Sequence, residues 1–250
     1  GRWLARYGQA LLRAHQLMSQ DRPVIRVAIA GAGRMGQALV TGLDNQDDME
    51  LVGLWGRGDD LSPLVQAADV VIDFSLPDGT MQVLDAVEQH GKPLVCGVSG
   101  LSDAQIDALN RVAMKVPVVY DRNMSLGIAV LERSVREAAA SLGADFEVEI
   151  SEVHHIHKKD APSGTALKLG EAIAAARGES GTGSVRFAAE RRGEVPGDHE
   201  VIMRSATESL TFAHSVTTRE VFADGALRAA RWAVGQPPGR YRMSDVLFGT

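Results

Sequence analysis

The side chains best suited to chemistry are concentrated in one stretch, from Glu152 to Ala166, which reads EVHHIHKKDAPSGTA. It contains three histidines, and imidazole is the side chain whose ordinary pKa lets it donate a proton near neutral pH. Two lysines follow directly, and a lysine beside a histidine can hold an acidic substrate and lower the histidine pKa. The stretch is therefore typical of a site that protonates an anionic substrate.

The end of this stretch combines a turn with a predicted helix start. Pro162 fixes the turn, and Ser163 is a residue type that caps helices. Ser163, Gly164 and Thr165 then offer hydroxyls and free backbone N–H groups, which favour a carboxylate. The competing interpretation is a polar surface loop before a well-capped helix. A metal site is disfavoured, because neither an Asp/Glu/Cys cluster nor two histidines at helical spacing complete a ligand set.

A glycine-rich turn lies near the start of the chain. The β-branched run from Val24 to Ala30 predicts a buried strand of a parallel sheet. A predicted helix from Arg34 to Leu43 follows, so the intervening G-x-G-x-x-G pattern has the context of a dinucleotide-binding turn. The alternative is a glycine turn without a ligand. The residues of the turn are Gly31, Ala32, Gly33, Arg34, Met35 and Gly36.

The position about twenty residues beyond the glycine turn separates NAD from NADP specificity, because an acid there binds the ribose hydroxyls. This chain has Gly56 and then Arg57 after a predicted strand from Glu50 to Trp55. Without a carboxylate to repel it, a 2′-phosphate can pair with Arg57, so the sequence favours or at least admits NADPH. A solvated surface arginine is the alternative.

The first half continues as an alternation of strands and helices, which implies right-handed crossovers and one parallel sheet. The predicted elements are strand 69–74, helix 77–90, strand 93–96, helix 102–114 and strand 117–120. Ligands bind outside the carboxyl ends of such strands. The candidate contacts there are Phe74, Ser75, Gly97, Val98, Ser99, Gly100, Asp121, Arg122, Asn123 and Met124.

The pattern changes after Asn123, where several strands follow one another with few helices between them. This predicts a second unit with an open, mostly antiparallel or mixed sheet. We therefore expect an α/β protein, with a Rossmann-type dinucleotide-binding domain at 23–122 and 225–250 and a substrate domain of α+β type at 123–224. The predicted elements of the second half are helix 126–142, strand 145–153, helix 163–177, strands 185–189, 199–204 and 210–216, helix 225–234 and a returning segment 241–248.

Composition restricts the class of protein. A net charge of −6 and a pI near 5.7 give no general attraction to nucleic acid or to anionic membrane. No apolar run approaches the roughly 20 residues that cross a bilayer. A single cysteine, Cys96, indicates a reducing compartment such as the cytoplasm. Residues 1–22 resemble a transit peptide in composition, but we interpret them as an extension outside the fold.

The stretch from Glu152 to Ala166 resembles the signature of the dihydrodipicolinate reductase family. Further resemblance lies in the Gly-Arg-Met-Gly of the glycine turn and in other short motifs, and it covers about 24–249. In this chain the glycine turn is one residue shorter than in many members. Tyr120, Asp121 and Arg122 stand where small residues are common. The other motifs are Asp73-Phe74-Ser75, Gly97 to Gly100, Asn123 to Gly127 and Phe222 to Ala226.

The resemblance implies NADPH- or NADH-dependent reduction of the cyclic dihydrodipicolinate precursor to tetrahydrodipicolinate, in lysine and diaminopimelate biosynthesis. It implies that hydride reaches C4, that His154 donates the proton to C3, and that Lys158 is a second catalytic donor that also pairs with substrate charge. Substrate contacts would come from His155, Ser163, Gly164 and Thr165. Cofactor contacts would come from the glycine turn, Arg57, Phe74, 97–99 and 121–124.

Family members are usually homotetramers built through the sheets of the second domain, which makes a homotetramer the expected assembly. Two other functions remain open on the sequence. One is another small two-domain NAD(P) oxidoreductase, such as an aspartate or diaminopimelate dehydrogenase. The other is a dinucleotide-sensing protein without turnover.

Overall fold

The computed structural model describes residues 23–249. The prediction for residues 1–22 lies outside them. In the described part the strands form two sheets, one of six strands and one of four. No helix between residues 23 and 249 is long and apolar enough to cross a membrane.

The six-stranded sheet is parallel throughout and has the order β10-β5-β4-β3-β1-β2. Its four central strands are short, mostly apolar and largely buried, because helices cover both faces. Its strands are β1 (Ile25–Ala30), β2 (Met49–Trp55), β3 (Val70–Asp73), β4 (Leu94–Cys96), β5 (Pro117–Tyr120) and β10 (Gly239–Tyr241).

Most of the helices that accompany this sheet begin and end close to the predicted residues. The Ser102 side chain accepts from the Gln105 backbone N–H, and the Gln105 side chain accepts from the Ser102 backbone N–H, so the two residues form a capping box. The helices are α1 (Arg34–Leu43), α2 (Ser62–Ala67), α3 (Pro77–His90), α4 (Asp103–Ala113), α7 (Glu220–Ala233) and α8 (Met243–Phe248).

The four-stranded sheet is mixed, with the order β7-β6-β8-β9, as predicted. Strands β6 and β7 are parallel, whereas β6 pairs with β8, and β8 with β9, in antiparallel fashion. An apolar core lies between one face of this sheet and two helices. The elements are α5 (Leu126–Leu142), β6 (Glu147–His154), α6 (Gly164–Ala176), β7 (Val185–Arg191), β8 (Asp198–Arg204) and β9 (Ser209–His214).

Two details differ from the predictions. Helix α7 begins at Glu220 rather than at Gly225, and helix α2 has no counterpart among the predicted elements. Gly225 lies inside α7 because the helix packs against the backbone there, and a side-chain carbon at this position would lie 1.8 Å from the Met124 carbonyl oxygen. The segment after α7 pairs with β5, so it returns to the first sheet as expected. The domain boundaries stay a prediction.

Candidate active site

His154 lies at the end of β6, on the side of the strand that faces the core. Alternate residues of β6 are buried, so the apolar Val148 and Ile150 are followed on the same face by Glu152 and His154. The imidazole Nδ1 forms a hydrogen bond with the Glu152 carboxylate. The strand therefore places a carboxylate and an imidazole side by side, next to the loop of residues 155–162, which we call the signature loop.

The Glu152 carboxylate is buried and has three kinds of partner. Besides His154 it accepts hydrogen bonds from both terminal nitrogens of Arg191, each at 3.0 Å. It also accepts from the Ser163 backbone N–H at 3.2 Å. Arg191 donates in addition to the carbonyl oxygens of Lys158 and Asp160, so it connects β7 to the signature loop. The resulting network holds the loop, the helix start and His154 together.

The charges around His154 act in opposite directions on its pKa. Burial lowers the pKa of the imidazole below its ordinary value. The Glu152 carboxylate opposes this and raises it, while the nearby Lys158 ammonium and Arg191 guanidinium lower it further. The balance leaves the pKa of His154 lowered, so the imidazole releases its proton more readily than a free histidine.

A second buried histidine, His199 of β8, packs edge-on against His154 with the ring centroids 5.1 Å apart. Its Nε2 lies 3.2 Å from the Ser163 hydroxyl. Burial, followed by the charges of His154, His214 and Lys158, lowers the pKa of His199 to about 3, so its ring is neutral at physiological pH. His199 therefore shapes the pocket of His154 without adding charge.

The start of α6 has the predicted cap. The Ser163 hydroxyl accepts a hydrogen bond from the Ala166 backbone N–H at 3.1 Å. Asp160 lies between this helix start and Lys158, whose ammonium is 2.8 Å from its carboxylate. Although burial raises the pKa of Asp160, Lys158 and the Gly164 N–H outweigh it and hold the pKa below its ordinary value. An anion is thus stabilised where the sequence predicts a carboxylate site.

The glycine turn fits a dinucleotide. Gly31 has φ of +107°, and a side-chain carbon there would lie 2.5 Å from the Phe74 carbonyl oxygen. Gly36 lies against the Gly31 carbonyl oxygen, so only glycine allows the helix to pack this closely. At Gly33 a side-chain carbon would meet nothing within 4 Å. Gly33 is the N-cap of α1, and no side chain accepts a hydrogen bond from the N–H groups of the first turn. These N–H groups lie next to the open space at Gly33, where a phosphate could accept from them.

The turn after β2 contains a carboxylate that sequence reasoning did not assign. Arg57 is exposed there, as expected for a residue that could meet a 2′-phosphate. The Asp59 carboxylate accepts from the Gly56 backbone N–H at 3.3 Å, and the Trp55 indole donates to the Asp59 carbonyl oxygen at 2.9 Å. The turn is thus ordered by Asp59, and it carries one anionic side chain, Asp59, and one cationic side chain, Arg57.

At the ends of β3 and β4, the ring of Phe74 packs on Gly97, where a side-chain carbon would lie 2.4 Å from the ring. Val98 is buried, whereas Ser99 is exposed. These residues lie on the carboxyl edge of the sheet that also carries the glycine turn. The structure therefore brings the predicted contacts of 31–36, Phe74 and 97–99 to one edge.

The residues after β5 link the two sheets. Asn123 donates to the Thr165 hydroxyl at 3.1 Å. The buried Asp121 carboxylate accepts from the Lys168 ammonium at 2.6 and 2.7 Å, and Glu132 lies 2.8 Å from the same ammonium. Arg122 is exposed and pairs with Glu171 of α6 at 3.2 Å, while Met124 is buried. The charges of this segment are thus balanced by contacts with α5 and α6.

Cationic groups from both halves of the chain face one another near His155. Its pKa is lowered first by burial and then by the charges of Arg219 and Arg34. Its Nδ1 is buried without a hydrogen-bond partner among the described residues. Arg34 belongs to the glycine turn, so the turn and the signature loop approach each other. By contrast, His157 is exposed and pairs with the exposed Glu194.

Sequence reasoning missed Glu152, Arg191 and His199 as parts of this site. One signal was available, because the alternation that buries Val148 and Ile150 continues to Glu152 and His154. A buried carboxylate two residues from a histidine on the same strand face predicts their contact. The other residues lie on neighbouring strands, and the sequence does not specify that register.

Comparison with known proteins identifies the family. Family models described as dihydrodipicolinate reductase, N-terminus, and dihydrodipicolinate reductase, C-terminus, match residues 25–124 and 127–247. The chain belongs to the dihydrodipicolinate reductase family. The family predicted from the signature stretch is thereby confirmed. As a member, the chain is an NAD(P)H-dependent oxidoreductase of lysine and diaminopimelate biosynthesis, with a dinucleotide-binding N-terminal half.

Curated relatives and solved structures agree with this membership. A 4-hydroxy-tetrahydrodipicolinate reductase of Zymomonas mobilis is 39% identical over 252 residues, covering 92% of this chain and 99% of the relative. One of Caulobacter vibrioides is 41% identical over 249 residues, covering 89% and 97%. A dipicolinate-bound dihydrodipicolinate reductase from Paenisporosarcina sp. TG-14 matches with a TM-score of 0.73 and 24% identity, over 88% of this chain and 97% of that chain.

A more distant likeness concerns the alternative function. The DAP dehydrogenase of C. glutamicum, in complex with DAP, matches with a TM-score of 0.59 and 15% identity, over 88% of this chain and 93% of that chain. At sequence identities below 25%, these two solved structures show only that the fold is shared. The shared fold confirms the predicted combination of a Rossmann-type sheet with a second mixed sheet.

Proposed function

We propose that this chain reduces the cyclic dihydrodipicolinate precursor to tetrahydrodipicolinate, with His154 as proton donor. The observation that carries the proposal is the position of His154. It is fixed by Glu152, lies close enough to Lys158 for that ammonium to lower its pKa, and neighbours an anion-stabilising helix start. An imidazole with a lowered pKa beside such a site suits proton transfer to a bound dicarboxylate.

The reaction divides between the two halves of the chain. The reduced nicotinamide supplies the hydride, which goes to C4 of the unsaturated ring. His154 delivers a proton to C3 from Nε2, because Nδ1 is held by Glu152. Lys158 serves as a second donor, and its ammonium balances negative charge on the substrate.

The substrate carboxylates bind where the structure already stabilises anions. One carboxylate takes the position of the Asp160 carboxylate, between Lys158 and the N-terminus of α6. Ser163, Gly164 and Thr165 contribute N–H and hydroxyl groups there. His155, whose Nδ1 has no partner within residues 23–249, binds the substrate from the other side.

Residues along the carboxyl edge of the parallel sheet would hold the cofactor. The open space at Gly33 and the first-turn N–H groups of α1 suit its pyrophosphate. The Asp121 carboxylate is paired with the Lys168 ammonium, so Asp121 would contact the cofactor through its backbone. The full set of contacts is Gly31, Ala32, Gly33, Arg34, Met35, Gly36, Arg57, Phe74, Gly97, Val98, Ser99, Asp121, Arg122, Asn123 and Met124.

Arg57→Ala should weaken NADPH binding more than NADH binding. The exposed guanidinium follows β2, where it can pair with a 2′-phosphate that NADH lacks. The dissociation constants of both nicotinamides are measured by fluorescence titration of the wild type and the variant. Arg228→Ala, which removes an exposed arginine of α7, is the matched control. Equal weakening of the two cofactors by Arg57→Ala would refute the role of Arg57.

A turnover assay tests the proposed reaction against its alternatives. We expect the purified protein to oxidise NADPH or NADH only when the precursor is generated enzymatically in the assay. Pyridine-2,6-dicarboxylate, a planar mimic of the product, should inhibit. Oxidation of diaminopimelate or aspartate with NADP⁺ would instead indicate the dehydrogenase alternative, and cofactor binding without turnover would indicate a sensor.

The assembly and location are part of the same proposal. The second sheet has a face that α5 and α6 do not cover, with exposed charged residues such as Glu147, Arg186 and Arg204. We propose that four copies associate through these sheets, in the cytoplasm, where Cys96 stays reduced. Light scattering should give about four times 26.7 kDa. A monomeric mass would contradict the assembly.

A further inference from the structure

We infer that Glu152 is a positioning residue that orients His154 for proton transfer and is itself held by Arg191. The inference rests on the proposed role of His154 as the proton donor. It assigns a task to the buried Glu152 carboxylate and to the partly buried Arg191 guanidinium, which substrate binding does not use.

The hydrogen bonds of the Glu152 carboxylate determine which nitrogen of the His154 imidazole carries the hydrogen. It accepts from the Arg191 guanidinium and from the Ser163 backbone N–H, and these groups can only donate. An ionised carboxylate in contact with them is an acceptor on every side. The imidazole Nδ1 that contacts the same carboxylate must therefore carry a hydrogen. Glu152 thus selects one tautomer of neutral His154, with the free electron pair on Nε2.

Nε2 is the ring nitrogen of His154 that the contact with Glu152 leaves free. Within residues 23–249, Nε2 makes no hydrogen bond, and it borders the backbone at Gly197. A side-chain carbon at Gly197 would lie 3.0 Å from Nε2. Because glycine has no such carbon, the face of the imidazole that exchanges the proton stays open.

The charged and titratable groups around His154 come from four elements. Glu152 of β6 raises the pKa of the imidazole, whereas Lys158 of the loop and Arg191 of β7 lower it. His199 of β8 is neutral, since its pKa is about 3. Removing the carboxylate should therefore lower the pKa of His154, and removing the guanidinium should raise it.

Glu152→Gln tests the inference, because it removes the charge and keeps the size of the side chain. A general acid works in its protonated form, so kcat falls as the pH rises through the pKa of His154. We expect this decline to move to lower pH by about one to three pH units, the usual effect of losing an adjacent opposite charge. The Kd of NADPH should stay near the wild-type value.

Two further variants make the test specific. Glu149→Gln makes the same change on β6 at a partly exposed residue that does not contact His154, and its pH profile should match the wild type. Arg191→Gln should move the decline to higher pH, opposite to Glu152→Gln, and it decides the question alone if Glu152→Gln does not fold. Shifts of the same sign in both variants, or no shift in either, would overturn the inference.

A spectroscopic readout separates this inference from the proposed function. In ¹⁵N NMR spectra of the wild type at high pH, Nδ1 of His154 should carry the hydrogen and Nε2 should show the shift of an unprotonated nitrogen. In Glu152→Gln a mixture of tautomers is expected. If His154→Gln retains its activity, the catalytic role of His154 fails, while the NMR result still decides the orientation. If His154→Gln is inactive and Glu152→Gln keeps the tautomer and pH profile, the inference fails and the role of His154 stands.

Discussion

Replacing His154 by glutamine should lower kcat by about 10²- to 10⁴-fold, which is the usual size of a general-acid contribution. Glutamine resembles the imidazole in size and can still contact Glu152, but it cannot deliver a proton at neutral pH. The affinity for NADPH should change little, because the glycine turn that would hold the cofactor packs against Phe74 of the first sheet and His154 belongs to the second sheet. The measurement is kcat with enzymatically generated precursor, together with the Kd of NADPH.

His157→Gln provides the matched control for this prediction. His157 belongs to the same stretch, but its side chain is 69% exposed and pairs with the exposed Glu194. Its replacement should leave kcat near that of the wild type. Near-normal kcat in His154→Gln would exclude His154 as the proton donor.

Replacing Lys168 by methionine should lower the free energy of unfolding by about 3–5 kcal/mol, the usual cost of removing one partner of a buried ion pair. The side chain of Lys168 is 12% exposed, and its ammonium lies between the Asp121 and Glu132 carboxylates. Methionine fills most of the same space but leaves two buried acids without their cation. Urea unfolding of the cofactor-free protein, measured by circular dichroism, gives the difference.

Arg122→Met is the control, because Arg122 also connects the end of β5 to α6. Its partner Glu171 is 54% exposed, so solvent screens the pair and the expected cost is below about 1 kcal/mol. Adding Asp121→Asn to Lys168→Met should recover part of the lost stability, since it removes one uncompensated charge. A loss below about 1 kcal/mol in Lys168→Met would contradict a structural role for the pair.

The parallel half of the fold could be predicted because its local signals agree with one another. The run before Gly31 is β-branched, the glycine turn follows it, and helix α1 begins and ends at the predicted residues. Helix α3 also has the predicted bounds, since Pro77 opens it and Gly91 follows it with a left-handed backbone. Short-range rules were sufficient for these elements.

The start of α7 could not be predicted from the same rules. Glycine is unfavourable in the interior of a helix, and the sequence pattern predicts a helix that begins at Gly225. In the structure it is an interior residue, and its lack of a side chain lets α7 approach the Met124 carbonyl oxygen. That contact joins residues about a hundred positions apart, and propensity does not report on it.

The candidate site likewise has one part that the sequence predicts and another part that it does not. His154, Lys158 and Ser163 lie within one stretch, so residue types and spacing were enough to suggest proton transfer to an anion. Arg191 contacts Glu152 across 39 residues, through the parallel pairing of β6 with β7. His199 reaches the site through the antiparallel register of β8. Both contacts depend on strand order, which sequence patterns leave open.

The most direct test of the account is to follow the transferred hydrogen. NADPH carrying two deuterium atoms at C4 of the nicotinamide is used with enzymatically generated precursor, and the product is analysed by NMR and mass spectrometry. We predict one deuterium at C4 of tetrahydrodipicolinate in the wild type, and the same position at a much lower rate in His154→Gln. Deuterium at another carbon, or equal rates in the two proteins, would contradict the proposed reaction and its proton donor.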